Sequence, residues 1–238
     1  MTIHCVLLDL EGTIIPVDFV REVLFPYARR RLAAFLREHR EDPAVLTWAA
    51  LCQDTVEREE GLRPAYADLH EFLVRWIDED RKHMGLKALQ GMIWEEGYRS
   101  RAFTPELYTD VAPTLIRWRN NGIRLATYSS GSEQAQRLLL ANTTNGDLTP
   151  LFSHFFDTRI GAKTDAVSYE RIASRLTLLP DAILFLSDAE PELDAAAAAS
   201  FKTTQIVRPG TWQGTRHSFS LDLRGLSFCE LVQPASCP

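Results

Sequence analysis

Residues 3–9 are too uniformly apolar to form a strand with one wet face. A strand that meets water on one side alternates apolar and polar residues, whereas a strand covered on both sides does not. Helices lying on both faces of a parallel sheet supply that cover, so this short run constrains the fold of the whole chain. Three later segments share its character. "IRLATYSS" (123–130) follows the helix stop "NNG", "AILFLSD" (182–188) follows Pro180, and "TTQIVR" (203–208) precedes Pro209-Gly210. Helical spacing occupies 113–120, 132–140, 165–176 and the alanine-rich 191–200. The alternation predicts a doubly wound α/β fold with a mainly parallel sheet.

One interval interrupts this rhythm. Residues 19–104 show helical spacing and no convincing strand, which predicts an inserted helical cap domain, with 1–18 and 105–238 forming the core. Ala28, Leu32 and Phe35 make one apolar stripe; Leu69, Phe72, Leu73 and Trp76 a second; Leu86, Leu89 and Ile93 a third. Stripes of this kind are core contacts, and they are assigned to packing within the insertion.

Composition narrows the partners. A net charge of −6 over 238 residues gives no average attraction to nucleic acid or an acidic membrane. Cys5, Cys52, Cys229 and Cys237 form no CxxC pair and lack histidines at zinc-ligand spacing, so they read as reduced packing thiols. With no leader pattern and no apolar run of membrane-span length, the expected location is the cytoplasm. A monomer is expected.

Polar residues end the predicted strands, where open parallel sheets bind ligands. In "VLLDLEGTI" (6–14) the first strand stops at Asp9, with Glu11 two positions on; Gly12 permits a turn and Thr13 offers a hydroxyl for a local hydrogen bond. Asp9 alone could be a turn residue or an N-cap. Two carboxylates at i, i+2 on extended chain point the same way, and their repulsion calls for a cation or a shared proton. Asp188, arriving from another strand end, completes an oxygen-ligand set suited to Mg²⁺. Ser129, Ser130 and Gly131 stand where a strand turns into a helix, a position that binds phosphate; the competing role is a helix cap by Ser130 or Ser132. Lys163 precedes a further helix, where a lysine is electrostatically unfavourable unless it faces an anion.

Asp9 with Gly12-Thr13, then Ser129, Lys163 and Asp188, resemble in that order the four motifs of the haloacid dehalogenase-like phosphatases. "DLEGTIIPVDFVREVLFPYARRRL", "LKALQGMIW", "YSSGSEQAQRLLL" and "FLSDAEPELDAA" are similar to the enolase-phosphatases of methionine salvage, including a glutamate at the second acidic position, Glu11. The resemblance implies an aspartyl-phosphate on Asp9 and Mg²⁺ held by Asp9, Glu11 and Asp188. Ser129 or Ser130 and Lys163 would hold the phosphate, and Glu11 would move protons. It also implies enolisation of 2,3-diketo-5-methylthiopentyl-1-phosphate with Glu11 or Lys163 as base, followed by dephosphorylation to an acireductone. Glu192 would orient the metal site or simply favour a helix start.

The chain departs from the family pattern in three places. Arg101 stands where glycine is usual, Thr104 where lysine is usual, and "LANTT" (140–144) replaces a segment that usually reads Phe-Gly-His. These changes bear on substrate contacts, and they leave two other readings: a phosphatase for another small sugar or keto phosphate, and a non-catalytic binder. A dehalogenase would have no use for Glu11 and Asp188 together.

Overall fold

The computed structural model describes residues 2–226. The chain starts with strand β1 (Cys5–Leu8) and then divides into two compact units: the residues up to Val17 together with those from Thr104 on, and Asp18–Phe103.

The second unit is entirely helical among the described residues. A wide-wound turn (Phe19–Leu24) runs into α1 (Phe25–Glu38), followed by α2 (Pro43–Glu60), α3 (Leu69–Asp78) and α4 (Met84–Arg99). Asp42 caps α2 by accepting from the Ala44 N–H, Pro43 occupies its first turn, and Gly61 ends it in the left-handed conformation, the arrangement that satisfies helix-end backbone groups at both ends. The three predicted stripes are core contacts. Ala28, Leu32, Phe35, Leu69, Leu73, Trp76, Leu86, Leu89 and Ile93 are buried, while Phe72 is half-buried with the Arg75 guanidinium over its ring. Cys52 lies in this core, and burial pushes its thiol up to about 12, as it does for Cys5 in the sheet; both behave as packing groups. Cys229 and Cys237 lie outside the described residues.

The first unit continues through α5 (Val111–Asn120), β2 (Arg124–Tyr128), α6 (Glu133–Ala141), β3 (Phe152–Phe156), α7 (Ala166–Leu176), β4 (Ile183–Ser187), α8 (Glu190–Ala198), β5 (Lys202–Ile206) and β6 (Phe219–Ser220). All strands pair in parallel, in the order β3-β2-β1-β4-β5-β6. Leu7 pairs with Ala126 on one side and Phe185 on the other, so β1 is interior and has no edge to expose. Alternate residues Cys5, Leu7, Ala126, Tyr128, Ile183 and Phe185 pack under Tyr169, Ile172 and Leu176 of α7 and Leu193 and Ala196 of α8. Val6, Leu8, Leu125, Leu184 and Leu186 are buried on the opposite face, where α5 packs on β2. Truncating one such side chain, Leu7→Ala for instance, costs about 2–5 kcal/mol through lost transfer energy and the cavity left behind.

Two strands went unread in the sequence. β3, "FSHFF", carries an exposed Ser153 and a half-buried His154 that break the apolar run, and β6 has only two residues. The other strands are shorter than their apolar runs: β1 begins at Cys5 and β5 ends at Ile206. The chain fills β1, β2 and β3 outward on one side, then crosses back to place β4 on the other side of β1. That reversal creates a switch point at the carboxyl ends of β1 and β4. Among the described residues, no helix is long and apolar enough to cross a membrane.

Candidate active site

Asp9 follows β1 directly, and its side chain is nearly buried. The Leu10 N–H donates to its Oδ1 at 2.8 Å. The next residues wind tightly, with Ile14 N–H and Ile15 N–H both directed at the Leu10 carbonyl. Gly12 sits in this turn at φ +75°, and a Cβ there would lie 2.4 Å from Asp188 Oδ2, so left-handed backbone and close approach both require glycine. Asp188 follows β4, on the other side of the switch point. Thr13 departs from expectation: its Oγ1 is buried and has no hydrogen-bond partner, because the local bonds at this turn are made by backbone groups.

Lys163 reaches into the same place from the loop before α7. Its side chain is 10% exposed, and Nζ lies 2.6 Å from Asp9 Oδ1 and 2.6 Å from Glu192 Oε2. Burial pulls the lysine down, but the charges and hydrogen bonds of Asp9 and Glu192 outweigh it and hold it above the usual lysine range. Glu192, on the first turn of α8, is thus the lysine's second anion. Burial and the Asp9 charge push its carboxyl up to about 7 against the opposing pull of Lys163 and Ser187.

Ser129 is fully buried at the end of β2. Its hydroxyl donates to Glu11 Oε2 at 3.1 Å and accepts from the Gly131 N–H at 3.0 Å. Ser130 is exposed. Ser132 caps α6 by accepting from Ala135 N–H, and Asp157 Oδ2 accepts from Glu133 N–H, so protein acceptors already occupy this helix start. Burial and the neighbouring Asp9 charge raise Glu11, despite help from its own backbone N–H, Lys163 and Ser129. Burial and Asp9 likewise push Asp188 up to about 6.

The fold therefore brings together Asp9, Glu11, Ser129, Lys163, Asp188 and Glu192, and leaves Ser130 at the surface. Sequence reasoning missed three supporting groups. Ser187 Oγ lies 3.1 Å from Asp9 Oδ2 and 2.9 Å from Glu192 Oε2, and accepts from the Ala189 N–H. Buried Gln205 donates to the carbonyls of Asp188 and Trp212 and accepts from the Gly214 N–H. Arg208 holds the Thr13 carbonyl while forming a fork with Asp110. A polar residue inside an apolar strand was the available signal for Ser187 and Gln205.

Four carboxylates, one shared buried ammonium and a buried hydroxyl thus meet at the switch point. Residues 3–200 match the family described as haloacid dehalogenase-like hydrolases. The chain belongs to that family. Its relatives within the haloacid dehalogenase-like hydrolases are similar over nearly their full lengths. Enolase-phosphatase E1 of Methylococcus capsulatus is 50% identical over 222 residues, 92% of this chain and 96% of that protein. Enolase-phosphatase E1 of Acidiphilium cryptum is 50% identical over 204 residues, 86% and 84% of the two chains. Among solved structures, the UTR4 protein of Saccharomyces cerevisiae superposes with a TM-score of 0.78 at 29% identity, covering 94% of this chain and all of that one. A haloacid dehalogenase-like phosphatase of Thermococcus onnurineus gives 0.58 at 19% identity, covering 93% and 94%, a likeness of fold.

Proposed function

We propose that the site hydrolyses a phosphate monoester through Asp9, within an enolase-phosphatase reaction on 2,3-diketo-5-methylthiopentyl-1-phosphate. The chain is an enzyme, a phosphatase of the enolase-phosphatase kind, by its similarity to relatives of that name. The observation that carries the proposed mechanism is the 2.6 Å approach of Lys163 Nζ to Asp9 Oδ1, deep at the switch point. It supports the reading because a fixed cation beside the proposed nucleophile would stabilise charge developing on a transferring phosphoryl group.

In the proposed course, an Asp9 oxygen attacks phosphorus and the bond from phosphorus to the ester oxygen breaks. The leaving oxygen takes a proton from Glu11, whose burial beside Asp9 favours its protonated form. Water then attacks phosphorus and gives a proton to Glu11, the bond from phosphorus to the Asp9 oxygen breaks, and inorganic phosphate leaves with the Asp9 carboxylate restored. Ser129, Ser130, Gly131 and Lys163 are the groups proposed to hold the phosphate oxygens. For enolisation, Glu11 or Lys163 is proposed as base, Lys163 only after it gives up the proton that Asp9 and Glu192 hold on it.

Among the described residues, no three side chains already form a metal cage. The donor chemistry nevertheless suits a hard divalent cation. Asp188 fills the space over Gly12, and Asp9 and Glu11 are the acids whose charge raises it. Asp9, Glu11 and Asp188 would hold Mg²⁺, with Glu192 orienting the set; Glu11 would serve as proton donor only with its carboxyl off the ion, since direct ligation holds it ionised. The ion would supply positive charge to the phosphate and to an enolate oxygen. The division into a core with residues 19–104 as its cap, a monomeric state and a cytoplasmic setting belong to the same proposal.

Two signals test it: Mg²⁺-dependent phosphate release from the diketo phosphate, and the ultraviolet absorbance of the enol, with Asp9→Asn as control. Both signals are expected from wild type and neither from the variant. Phosphate release without the enol signal would retain the phosphatase and remove the salvage substrate.

A further inference from the structure

The lysine that pairs with Asp9 sits on a loop, and a lysine side chain is long and rotamer-rich. Holding Nζ to within a few tenths of an ångström therefore requires that its backbone be fixed. Two tyrosines from different elements do this. Tyr169 of α7 donates its hydroxyl to the Lys163 carbonyl at 2.7 Å, and Tyr128 at the end of β2 donates to the Gly161 carbonyl at 3.0 Å. The two bonded peptides flank Ala162, so the chain is held on both sides of one residue immediately before the lysine. The Tyr128 ring also lies 5.9 Å from Nζ at its centroid.

Both rings are immobilised in turn. Tyr128 and Tyr169 are fully buried in the core between sheet and helices and meet edge to face at 5.5 Å. Tyr169 also touches the rings of Phe185 on β4 and Phe201. The loop conforms to this arrangement through Gly161, whose φ is +145°. A Cβ there would lie 2.1 Å from Ser168 Oγ.

We propose that Tyr128 and Tyr169 are positioning residues for Lys163, which transmit the rigidity of the sheet core to the ammonium that meets the phosphoryl group. The inference rests on the assignment of Lys163 to phosphate binding. Tyr→Phe variants test it cleanly, because they keep the ring and its packing and remove only the hydroxyl.

The probe is orthovanadate, a tetrahedral oxyanion, titrated calorimetrically into the full chain with Mg²⁺ present and compared with the thermal midpoint of each variant. Tyr169→Phe is expected to weaken vanadate binding and kcat/KM by roughly 5- to 20-fold, the range for a lost hydrogen bond plus a displaced charge. Tyr128→Phe/Tyr169→Phe is expected to weaken them further. In a Lys163→Met background, Tyr169→Phe is expected to change vanadate affinity by less than about twofold, because coupled residues are not additive. If Lys163→Met does not fold, Lys163→Gln serves the same comparison, since it removes the ammonium and keeps a polar side chain of similar reach.

Unchanged vanadate affinity in Tyr169→Phe, with Lys163→Met weakened, overturns the tyrosine inference alone. An equal loss from Tyr169→Phe in both backgrounds also overturns it, since the hydroxyl would then act by another route. Unchanged affinity in Lys163→Met overturns the assignment of the lysine itself.

Discussion

The Nζ of Lys163 stands 2.6 Å from Oδ1 of Asp9 with both side chains nearly buried. At that depth the pair is shielded from solvent, and its geometry, rather than the mere presence of charge, determines its effect. Lys163→Arg keeps the charge but presents a wide planar fork to a slot that already holds Glu192 at 2.6 Å. The expected outcome is a fall in kcat/KM of roughly 10²-fold or more, read from steady-state phosphate release. Folding should persist, as checked by a cooperative thermal melt.

Gly12→Ala should separate activity from stability in a different way. The new methyl meets the Asp188 carboxylate at 2.4 Å and forces a left-handed backbone on a residue with a side chain. A strain of about 1–2 kcal/mol is expected from the backbone alone. The methyl also displaces an acid at the switch point, so phosphate release should drop far more than a loss of that size in stability explains. A variant that melts lower yet turns over at the wild-type rate would contradict the placement of Asp188.

These features were unevenly legible in the sequence. β1 could be read because burial on both faces removes alternation, and Asp9 and Asp188 could be read because they end such runs. Ser187 carried a signal, a hydroxyl within an apolar strand, that does not say what the hydroxyl bonds, whereas Tyr169 on a helix stripe has the same signature as packing. Asp157 was hidden because the strand before it, with Ser153 exposed, did not look like one. The partnership of Asp110 with Arg208 spans 98 residues and follows from topology alone, which no local spacing encodes.

That partnership has a pH signature. Arg208 holds Asp110 through two bonds of 2.8 and 2.9 Å while also donating to the Thr13 carbonyl. Burial pushes the Asp110 carboxyl up, but hydrogen bonds from Arg208 and the Leu223 N–H, with the Arg208 charge, outweigh it and hold it below the usual range. A depressed carboxyl stabilises the fold fully above its unfolded value of about 3.9 and loses that contribution as pH falls through its folded value. Urea midpoints should therefore decline on acidification below about pH 4 in wild type, with a shallower decline in Asp110→Asn. Near neutrality the variant should lose about 3–5 kcal/mol, because it leaves the Arg208 charge buried without its counter-ion.

Arg101 offers the last test, at a position where the resemblance leads one to expect glycine. The residue lies just past α4 at φ +54°, with its N–H directed to the Tyr98 carbonyl and the next N–H, that of Ala102, to the Gly97 carbonyl. This is the left-handed close of a helix, which glycine enters without steric cost and arginine does not. Arg101→Gly relieves about 1–2 kcal/mol of backbone strain and returns part of it as unfolded-chain entropy, leaving a net gain of about 0.5–1 kcal/mol in urea unfolding. The arginine is exposed, and its left-handed backbone is a conformation that glycine adopts freely. Turnover of the diketo phosphate should therefore stay within about twofold of wild type, since a surface change away from special features moves free energies by roughly half a kcal/mol. A larger rise in kcat/KM on that substrate, with no matching rise for other phosphate esters, would instead make Arg101 a determinant of substrate choice.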